Sequence, residues 1–414
     1  MSLSKIRVSG LAVILMTVPL AAHITQDHAD TRGFIYGRVV TESGSEYEGF
    51  LRWGTQEAFW DDLFNSEKVD LPYIDYLDDD EYDRLNRRNR RRISIFGLHI
   101  NVEGDFLSDR QFVARFGDIE RIEPLGSGEA IVYMKNGSEY DVSGGADDVT
   151  NRVHVIDASL GEIDIRWNRI ELIEFFEAPR GATPPAWRLY GTVETYEQDY
   201  VGFIQWDKEE CLSTDELDGD TDDGDVSIQM GSIASIERRS SRRSLVTLRD
   251  GREFRLHGSN DVNDDNRGIM IEDERFGRVT IDWDSFDRVT FSEPGASGRG
   301  YSSFAPLGEL TGTVFDEDGE QHTGQIVFDL DESEGWEMLN GNINGIEFDI
   351  PFNMVVSVEP LRGGRARVEL VSGEVLTLED TADVGDENAG ILVLHDRRST
   401  YIYWDDVERI EFGG

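Results

Sequence analysis

Apolar and polar residues alternate along most of this chain, and the alternation has a period of two. Residues 279–283 read Val-Thr-Ile-Asp-Trp, and residues 201–206 read Val-Gly-Phe-Ile-Gln-Trp. Such a period is typical of antiparallel strands that have one face in the core and the other in solvent. Asn-Gly at 136–137 and Asp-Gly at 250–251 lie between alternating segments, where they predict tight hairpins. The pattern therefore predicts an all-β protein.

The predicted strands recur as three copies of one unit. Each copy opens with Gly-x-Val, a turn, and a Gly-x-x-x-aromatic strand, at residues 37–53, 191–206 and 312–328. Each copy later carries an Asp-Val step and a strand that ends in tryptophan. The aspartates are Asp148, Asp261 and Asp383, and the tryptophans are Trp167, Trp283 and Trp404. The repeats predict units at 33–178, 186–294 and 307–414, with Pro/Gly-rich linkers between them.

Unit 1 differs from the other two by a long insertion, predicted at residues 54–115. Within it, residues 75–92 begin with acidic and end with basic side chains, which complements the dipole of a helix. We expect one short α-helix in this segment. Because the insertion is the main difference between the units, we expect any function peculiar to this protein to reside there.

Each half of a unit ends in the same way. An apolar strand reaches an aromatic residue, about three residues follow, and a short apolar strand closes the half, as at residues 279–291. The intervening residues suit a 3₁₀ turn. This ending resembles that of SH3-like and Sm-like small barrels, and residues 200–207 resemble the opening strands of an Sm-like domain. The resemblance implies fold only: three tandem units, each of two small SH3-like or Sm-like barrels. The alternative is a six-bladed β-propeller.

The N-terminus has the features of a secretory signal peptide. Lys5 and Arg7 precede the apolar run at 11–20, and Ala21 and Ala22 provide a small-residue end. The apolar run is short for a membrane span. We therefore predict a signal peptide at residues 1–22, no transmembrane segment after its removal, and a periplasmic or extracellular location.

The charge of the chain restricts its partners. Lys and Arg number 40 against 84 Asp and Glu, a formal net charge of -44. Such a chain repels polyanions, so we expect no nucleic-acid partner. The single cysteine, Cys211, cannot form an internal disulfide, and its acidic surroundings disfavour a reactive thiolate. We expect it to be buried.

Two groups of residues are candidates for ligand binding. The repeated Trp167, Trp283 and Trp404 are expected to be core aromatics, and the alternative is a stacking platform for sugars. A basic cluster interrupts the acidic chain at Arg238, Arg239, Arg242 and Arg243. Its arginines are expected to pair with nearby acids, and the alternative is a docking patch for an anionic partner.

Cation binding is considered at two places. The acidic stretch with Asp218, Asp220 and Asp222 fits the start of a calcium loop, although its glycine and twelfth residue do not match an EF-hand. A solvated acidic loop is the expected structure, with weak calcium binding as the alternative. The aspartates of the Asp-Val steps are expected to be loop caps, or else oxygen ligands for a divalent cation. No other cofactor is predicted.

A catalytic constellation is missing from the sequence. The seven histidines occupy no equivalent positions in the three units, and no nucleophile elbow or phosphate-binding loop occurs. We therefore expect a non-catalytic binding or scaffold protein of the bacterial envelope, with a protein or glycan partner. The alternatives are an exported polysaccharide hydrolase and a calcium-dependent adhesion module.

Overall fold

A computed structural model describes residues 31–89, 94–95, 98–99, 110–126, 128–144, 148–294, 297–395 and 398–413. The predicted signal peptide at 1–22 lies outside the described residues. The all-β prediction is confirmed: the described part of the chain forms large antiparallel sheets and one α-helix. None of the helices within these ranges is long and apolar enough to cross a membrane.

Each of the three sequence repeats, called units 1 to 3, contains at least ten strands. Unit 1 contains β1 (Tyr36–Thr41), β2 (Glu46–Trp53), β3 (Leu63–Lys68), β4 (Ser94–Ile95), β5 (Leu98–His99), β6 (Gln111–Arg115), β7 (Ile119–Pro124), β8 (Glu129–Met134), β9 (Glu139–Ser143), β10 (Val153–Asp157), β11 (Gly161–Ile165), β12 (Ile170–Phe175) and α1 (Asp79–Asn89). Unit 2 contains β13 (Tyr190–Thr195), β14 (Asp199–Gln205), β15 (Glu216–Thr221), β16 (Gly224–Gln229), β17 (Ile233–Ser240), β18 (Arg243–Leu248), β19 (Glu253–Leu256), β20 (Ile269–Asp273), β21 (Gly277–Ile281) and β22 (Phe286–Phe291). Unit 3 contains β23 (Thr311–Asp316), β24 (Gln321–Phe328), β25 (Met338–Ile343), β26 (Ile346–Pro351), β27 (Val355–Leu361), β28 (Arg365–Leu370), β29 (Val375–Glu379), β30 (Ile391–His395), β31 (Arg398–Ile402) and β32 (Val407–Phe412).

All three units share one strand order. If the ten common strands of a unit are numbered 1 to 10 along the chain, neighbours follow the order 9-8-2-1-10-5-6-7-3-4. In unit 1 the ten common strands are β1–β3 and β6–β12. In unit 2 the step from position 7 to position 3 is a single bridge, between Asp220 and His257. The repeat seen in the sequence is thus a repeat of topology as well.

The two halves of each unit exchange strands. Strands 1 and 2 pair with strands 8 and 10 of the second half, as in Val193 opposite Val289 and Ile204 opposite Ile271. Strands 6 and 7 associate in turn with strands 3 to 5 of the first half. The chain leaves strand 2 through a tight loop, in which the Trp206 N–H donates to the Glu210 carbonyl at 2.7 Å. Each unit thus has two groups of five neighbouring strands, 10-1-2-8-9 and 5-6-7-3-4, and each five-stranded group contains strands of both halves.

Short 3₁₀ turns precede most closing strands, as the sequence predicts. They span Phe116–Asp118, Trp167–Arg169, Met230–Ser232, Phe352–Met354 and Trp404–Asp406. The second half of unit 2 differs, because residues 283–285 form an ordinary hydrogen-bonded turn. Three further 3₁₀ turns lie outside these positions, at Pro72–Tyr76, Asn260–Val262 and Tyr301–Ser303.

The insertion of unit 1 is narrower than the sequence indicates. β3 and β6 pair with each other and occupy positions 3 and 4 of the unit, so only residues 69–110 are extra. The expected helix is α1, and it lies within the predicted segment. Its buried Leu85 packs against Val327, Leu330 and Leu392 of unit 3. The insertion thus attaches unit 1 to unit 3.

The Pro/Gly-rich linkers do not keep the units apart. β21 of unit 2 pairs with β26 of unit 3, with Ile281 opposite Ile346, and these units share one hydrophobic core. The second linker packs on unit 1, where the Lys135 ammonium donates to the Tyr301 carbonyl at 2.6 Å. Phe304 lies within the core of unit 1.

Candidate functional site: repeated buried carboxylates

A buried glutamate follows strand 2 in every unit, four residues after the aromatic that ends the strand. These glutamates are Glu57, Glu210 and Glu332, with exposed fractions of 8%, 8% and 9%. The N–H and the carbonyl of each glutamate bond to the backbone of that aromatic, which closes a five-residue loop. In all three, the Oε2 atom is buried without a hydrogen-bond partner. A buried carboxylate oxygen without a hydrogen-bond partner lowers the free energy of unfolding. Because such an oxygen occurs in all three units, it requires an explanation.

The aspartates of the Asp-Val steps lie beside these glutamates. Each is buried, and its Oδ2 accepts the backbone N–H of strand 3: Asp148 from Asn65 at 2.7 Å, Asp261 from Asp218 at 2.6 Å, and Asp383 from Asn340 at 2.7 Å. In units 1 and 2, the aspartate carbonyl also accepts the indole N–H of Trp53 or Trp206 at 2.9 Å. These bonds agree with the loop-cap interpretation of the Asp-Val steps. They tie the loop after strand 7 to strand 3.

A third acid completes the cluster in units 2 and 3. Asp207 and Asp329 directly follow the strand-2 aromatic and are fully buried, whereas unit 1 has Gly54 at this position. All three residues have left-handed backbone, with φ of 52°, 50° and 58° respectively. Glycine adopts this conformation freely and aspartate at some cost. Units 2 and 3 therefore place an acid where unit 1 keeps the residue that suits the turn.

The third acids bind arginines. Asp207 Oδ2 accepts from Arg267 Nη2 at 2.7 Å, and its Oδ1 accepts the Arg267 backbone N–H at 2.5 Å. Asp329 Oδ2 accepts from Arg110 Nη1 at 2.6 Å. In unit 2 the arginine comes from the same unit, and in unit 3 it comes from the insertion of unit 1.

The clusters carry strongly perturbed acids. Burial, with Asp261 as the next cause, raises the pKa of Glu210 to about 9. Burial also raises the pKa of Asp261 to about 6 and, together with the nearby Asp329, that of Asp383 to about 8. Burial is also the main reason why the pKa values of Glu57 and Glu332 lie well above the ordinary value for glutamate.

Another repeated carboxylate links the units. Five residues after the buried glutamate, Asp62, Asp215 and Glu337 each accept two backbone N–H groups of their own loop. The second oxygen of each accepts from a basic side chain of a different unit. The pairs are Asp62 with Arg278 at 3.1 Å, Asp215 with Arg52 at 2.9 Å, and Glu337 with Lys68 at 2.6 Å. One position in the repeat thus organises its own loop and an interface.

The cluster of unit 3 borders a cavity of about 330 Å³ between units 1 and 3. Lys68 and Arg110, at the two ends of the insertion, line it together with Glu332 and Asp383. The side chain of Lys68 is 6% exposed, and its ammonium lies 2.7 Å from Asp331 Oδ1. Unit 1 therefore supplies both of these basic side chains.

The repeated tryptophans lie in the core. Trp167, Trp283 and Trp404 are 3%, 3% and 4% exposed. Each packs against the aromatic that ends strand 2: Trp53, Trp206 or Phe328, at ring-centroid distances of 5.9, 6.3 and 5.8 Å. Rings buried to this extent offer no face to a sugar, so the stacking-platform alternative is wrong for this structure and the core interpretation describes them.

The four arginines of the basic cluster in unit 2 differ in their surroundings. Arg238 pairs with Asp284 at 2.7 Å and Arg239 with Glu237 at 2.7 Å, while Arg242 and Arg243 are exposed at the turn between β17 and β18. The structure thus places the first two in local pairs and leaves the last two at the surface.

The acidic stretch is not a calcium loop. Asp218 and Asp220 lie on β15, and Asp222 begins the turn to β16. Alternate residues of a strand are about 7 Å apart, so three such carboxylates cannot converge on one ion. Asp218 Oδ1 instead accepts the hydroxyl of Ser227. The metal-ligand prediction for these three aspartates is therefore corrected.

Sequence reasoning missed the buried glutamates, the third acids and the linking carboxylates. A signal was present: Glu57, Glu210 and Glu332 stand at one spacing from the strand-2 aromatic in all three copies. So do Asp62, Asp215 and Glu337. Their acidic neighbours obscure this spacing until the copies are aligned.

Comparisons with known proteins add little to this description. No protein-family model matches the chain, and no curated protein matches it. Among solved structures, a streptogramin B lyase structure aligns with 72% of this chain and 94% of its own, at 10% identity and a TM-score of 0.12. A score this low supports neither a fold assignment nor a function.

Proposed function

We propose that the chain is an exported, non-catalytic β-repeat scaffold of the bacterial envelope that binds a partner protein. One observation carries this proposal: the side chains that all three units share are buried and hold loops or units together. The tryptophans fill the cores, and the Asp-Val aspartates accept backbone N–H groups. The linking carboxylates Asp62, Asp215 and Glu337 pair with basic side chains of other units. Residues that pack the core or link the units in every repeat are typical of a scaffold.

Export is supported by the N-terminal sequence. Lys5, Arg7 and the apolar run at 11–20 form the pattern of a signal peptide. A periplasmic or extracellular location also suits a chain that has one buried cysteine and a net charge of -44. The same charge opposes nucleic-acid binding.

The fold that suits this scaffold is a pair of exchanged small barrels in each unit. In both five-stranded groups, four antiparallel strands are neighbours in the order 1-2-8-9 or 6-7-3-4, and the strand that follows the turn, 10 or 5, lies beside the first of them. A closing strand after a 3₁₀ turn is the feature that resembles SH3-like and Sm-like barrels. We favour this assignment over a six-bladed propeller, because strands 10 and 5 join the two groups into one sheet.

A protein partner is favoured over a glycan because the aromatics that recur in the units are buried. Glycan binding commonly relies on exposed aromatic faces. A polysaccharide hydrolase loses its main support for the same reason, since no repeated tryptophan of the described structure lies beside an open pair of carboxylates.

Sedimentation with envelope fragments tests the proposal. The purified chain without residues 1–22 should bind the fragments saturably, and protease treatment of the fragments should abolish binding. Binding that survives protease treatment would point to a glycan instead. Absence of saturable binding would contradict the scaffold proposal. So would release of reducing ends from envelope polysaccharide that disappears in the Glu332→Gln variant.

A further inference from the structure

Two of the buried clusters have the composition of a hard-cation site. Asp207, Glu210 and Asp261 in unit 2 each offer a carboxylate oxygen, and these three oxygens lie within 4.8 Å of one another. The equivalent cluster in unit 3 meets the same limit. Calcium binds carboxylate oxygens at about 2.3–2.6 Å, so two oxygens on one ion are at most about 5 Å apart. The spacing is therefore compatible with one ion in each cluster.

An unsatisfied oxygen in each cluster points to a missing ligand. Glu210 is 8% exposed and Glu332 is 9% exposed, and in both the Oε2 atom is buried with no hydrogen-bond donor. The two aspartates of the unit 2 cluster do have donors: Asp261 accepts from the strand-3 backbone, and Asp207 accepts from Arg267. The glutamate oxygen thus lacks a partner inside an otherwise organised group of acids.

The charge of each cluster also favours a dication. In unit 2, the three carboxylates and Glu209, which binds the same guanidinium, face only Arg267, which leaves three negative units when all four acids are ionised. In unit 3, the three acids of the cluster are joined by Asp331 and Glu337. Lys68 and Arg110 oppose these five, which leaves three negative units. A buried group of like charges is stable only when it is neutralised.

We propose that unit 2 binds one calcium ion through Asp207, Glu210 and Asp261, and that unit 3 binds another through Asp329, Glu332 and Asp383. This inference goes beyond the scaffold function and does not depend on the partner. The glutamate and the third acid come from the loop after strand 2, and the aspartate comes from the loop after strand 7. Each ion would join the two exchanged five-stranded groups of its unit.

A cavity or a partly exposed ion pair lies next to each site. The cluster of unit 3 borders the cavity between units 1 and 3, which has room for a hydrated ion on its way in. In unit 2 the approach passes Arg267 and Glu209, whose side chains are 42% and 37% exposed. Water or backbone oxygens would complete the six to eight ligands that calcium takes.

Unit 1 provides an internal control. Glu57 and Asp148 occupy the equivalent positions, but Gly54 replaces the third acid. We therefore expect no calcium in unit 1. The acidic group at Asp316, Glu320 and His322 is a turn at the surface, where Asp316 already accepts from His322 and from the Glu320 backbone. It is not expected to bind calcium tightly.

Isothermal titration of calcium into the chelator-treated full chain at physiological salt tests the proposal. The unaltered protein should bind two ions. Glu210→Gln and Glu332→Gln should each bind one, because glutamine keeps the shape and removes the charge. Glu57→Gln, the matched control in unit 1, should still bind two. No binding by the unaltered protein, or two ions bound by either Glu210→Gln or Glu332→Gln, would overturn the proposal.

A second measurement does not depend on the folding of any variant. Equilibrium dialysis of the unaltered protein against radioactive calcium should saturate at two ions per chain, and a value of zero would overturn the proposal. The melting temperature should also rise with calcium concentration, because an ion that binds only the folded state stabilises it. A melting temperature that is independent of calcium would count against the two sites.

Discussion

The guanidinium of Arg52 in unit 1 donates two hydrogen bonds to the carboxylate of Asp215 in unit 2, at 2.9 and 3.0 Å. Asp215 also accepts the backbone N–H groups of Cys211 and Leu212 at 3.0 and 2.9 Å. A single carboxylate thus shapes a loop and fixes a neighbouring unit. The equivalent acids Asp62 and Glu337 do the same, so unit interfaces are built from a position of the repeat.

Replacing Arg52 by methionine should lower the free energy of unfolding by about 2 kcal/mol, because the paired Asp215 loses a charged donor in a largely buried setting. Urea unfolding measures this loss. The matched control is Arg152→Met, which removes the exposed pair with Asp164 and should cost at most about 0.5 kcal/mol. Equal losses in the two variants would contradict the role of the Arg52 pair at the interface.

Lys68→Met should be more costly, by about 3–5 kcal/mol, because Asp331 and Glu337 remain buried without their cation. The neighbouring carboxylates, opposing the effect of burial, raise the pKa of Lys68 above its ordinary value. A raised lysine pKa gives stability that is fully present below the unfolded value of about 10.4 and is lost only at higher pH.

The deficit of Lys68→Met should therefore not shrink as the pH rises from 6 to 9 in urea unfolding. Lys208→Met is the control, since Lys208 lies 4.0 Å from an exposed Glu347 and should matter little. A deficit for Lys68→Met that shrinks toward pH 9 would show that the ammonium is not held in its charged form.

Gly117→Ala should loosen the second linker from unit 1. A Cβ atom at Gly117 would lie 2.5 Å from ring carbons of Phe304, which is too close for any contact. Overpacking of this kind typically costs about 1–3 kcal/mol. Gly308→Ala is the control, because no atom lies within 4 Å of its added Cβ. Trypsin should cut the linker after Arg299 faster in Gly117→Ala than in the control, and equal rates would contradict the contact.

The Cys211 thiol should resist labelling in the folded protein. It is 2% exposed, and burial raises its pKa well above the ordinary value, although Arg52 opposes the shift. Since the thiolate is the reactive form, little of it exists even at pH 9. Reaction with a disulfide reagent at pH 8 should begin only at urea concentrations that unfold the chain. Stoichiometric labelling without denaturant would contradict the burial of this residue.

Several features of the fold follow from local sequence signals. Alternation predicts the strands, Asp-Gly at 250–251 predicts the turn after β18, and the charges of residues 75–92 predict α1. The core position of Trp283 follows from its recurrence at the end of a strand. Such signals act over a few residues, which is why a single sequence is sufficient for them.

Local sequence signals do not predict the exchange of strands between the two halves of a unit. Alternation states that β14 has one buried face, but it does not say whether β14 pairs with β15 or with β20. In the structure, β14 pairs with β20, and the loop that begins at Trp206 leads the chain away from β14. The acidic loop expected at residues 218–225, with calcium binding as its alternative, is wrong for a similar reason: the composition of these residues suits a loop, while their pairing makes them a hairpin.

Equilibrium urea unfolding of the unaltered chain, followed by both tryptophan fluorescence and far-ultraviolet circular dichroism, tests the central claim that the units form one scaffold. The exchanged strands, the shared core of units 2 and 3 and the ion pairs between units predict one cooperative transition. Its midpoint should be the same for both probes. Two or three separate transitions, or midpoints that differ between the probes, would show that the units fold independently and would contradict the account.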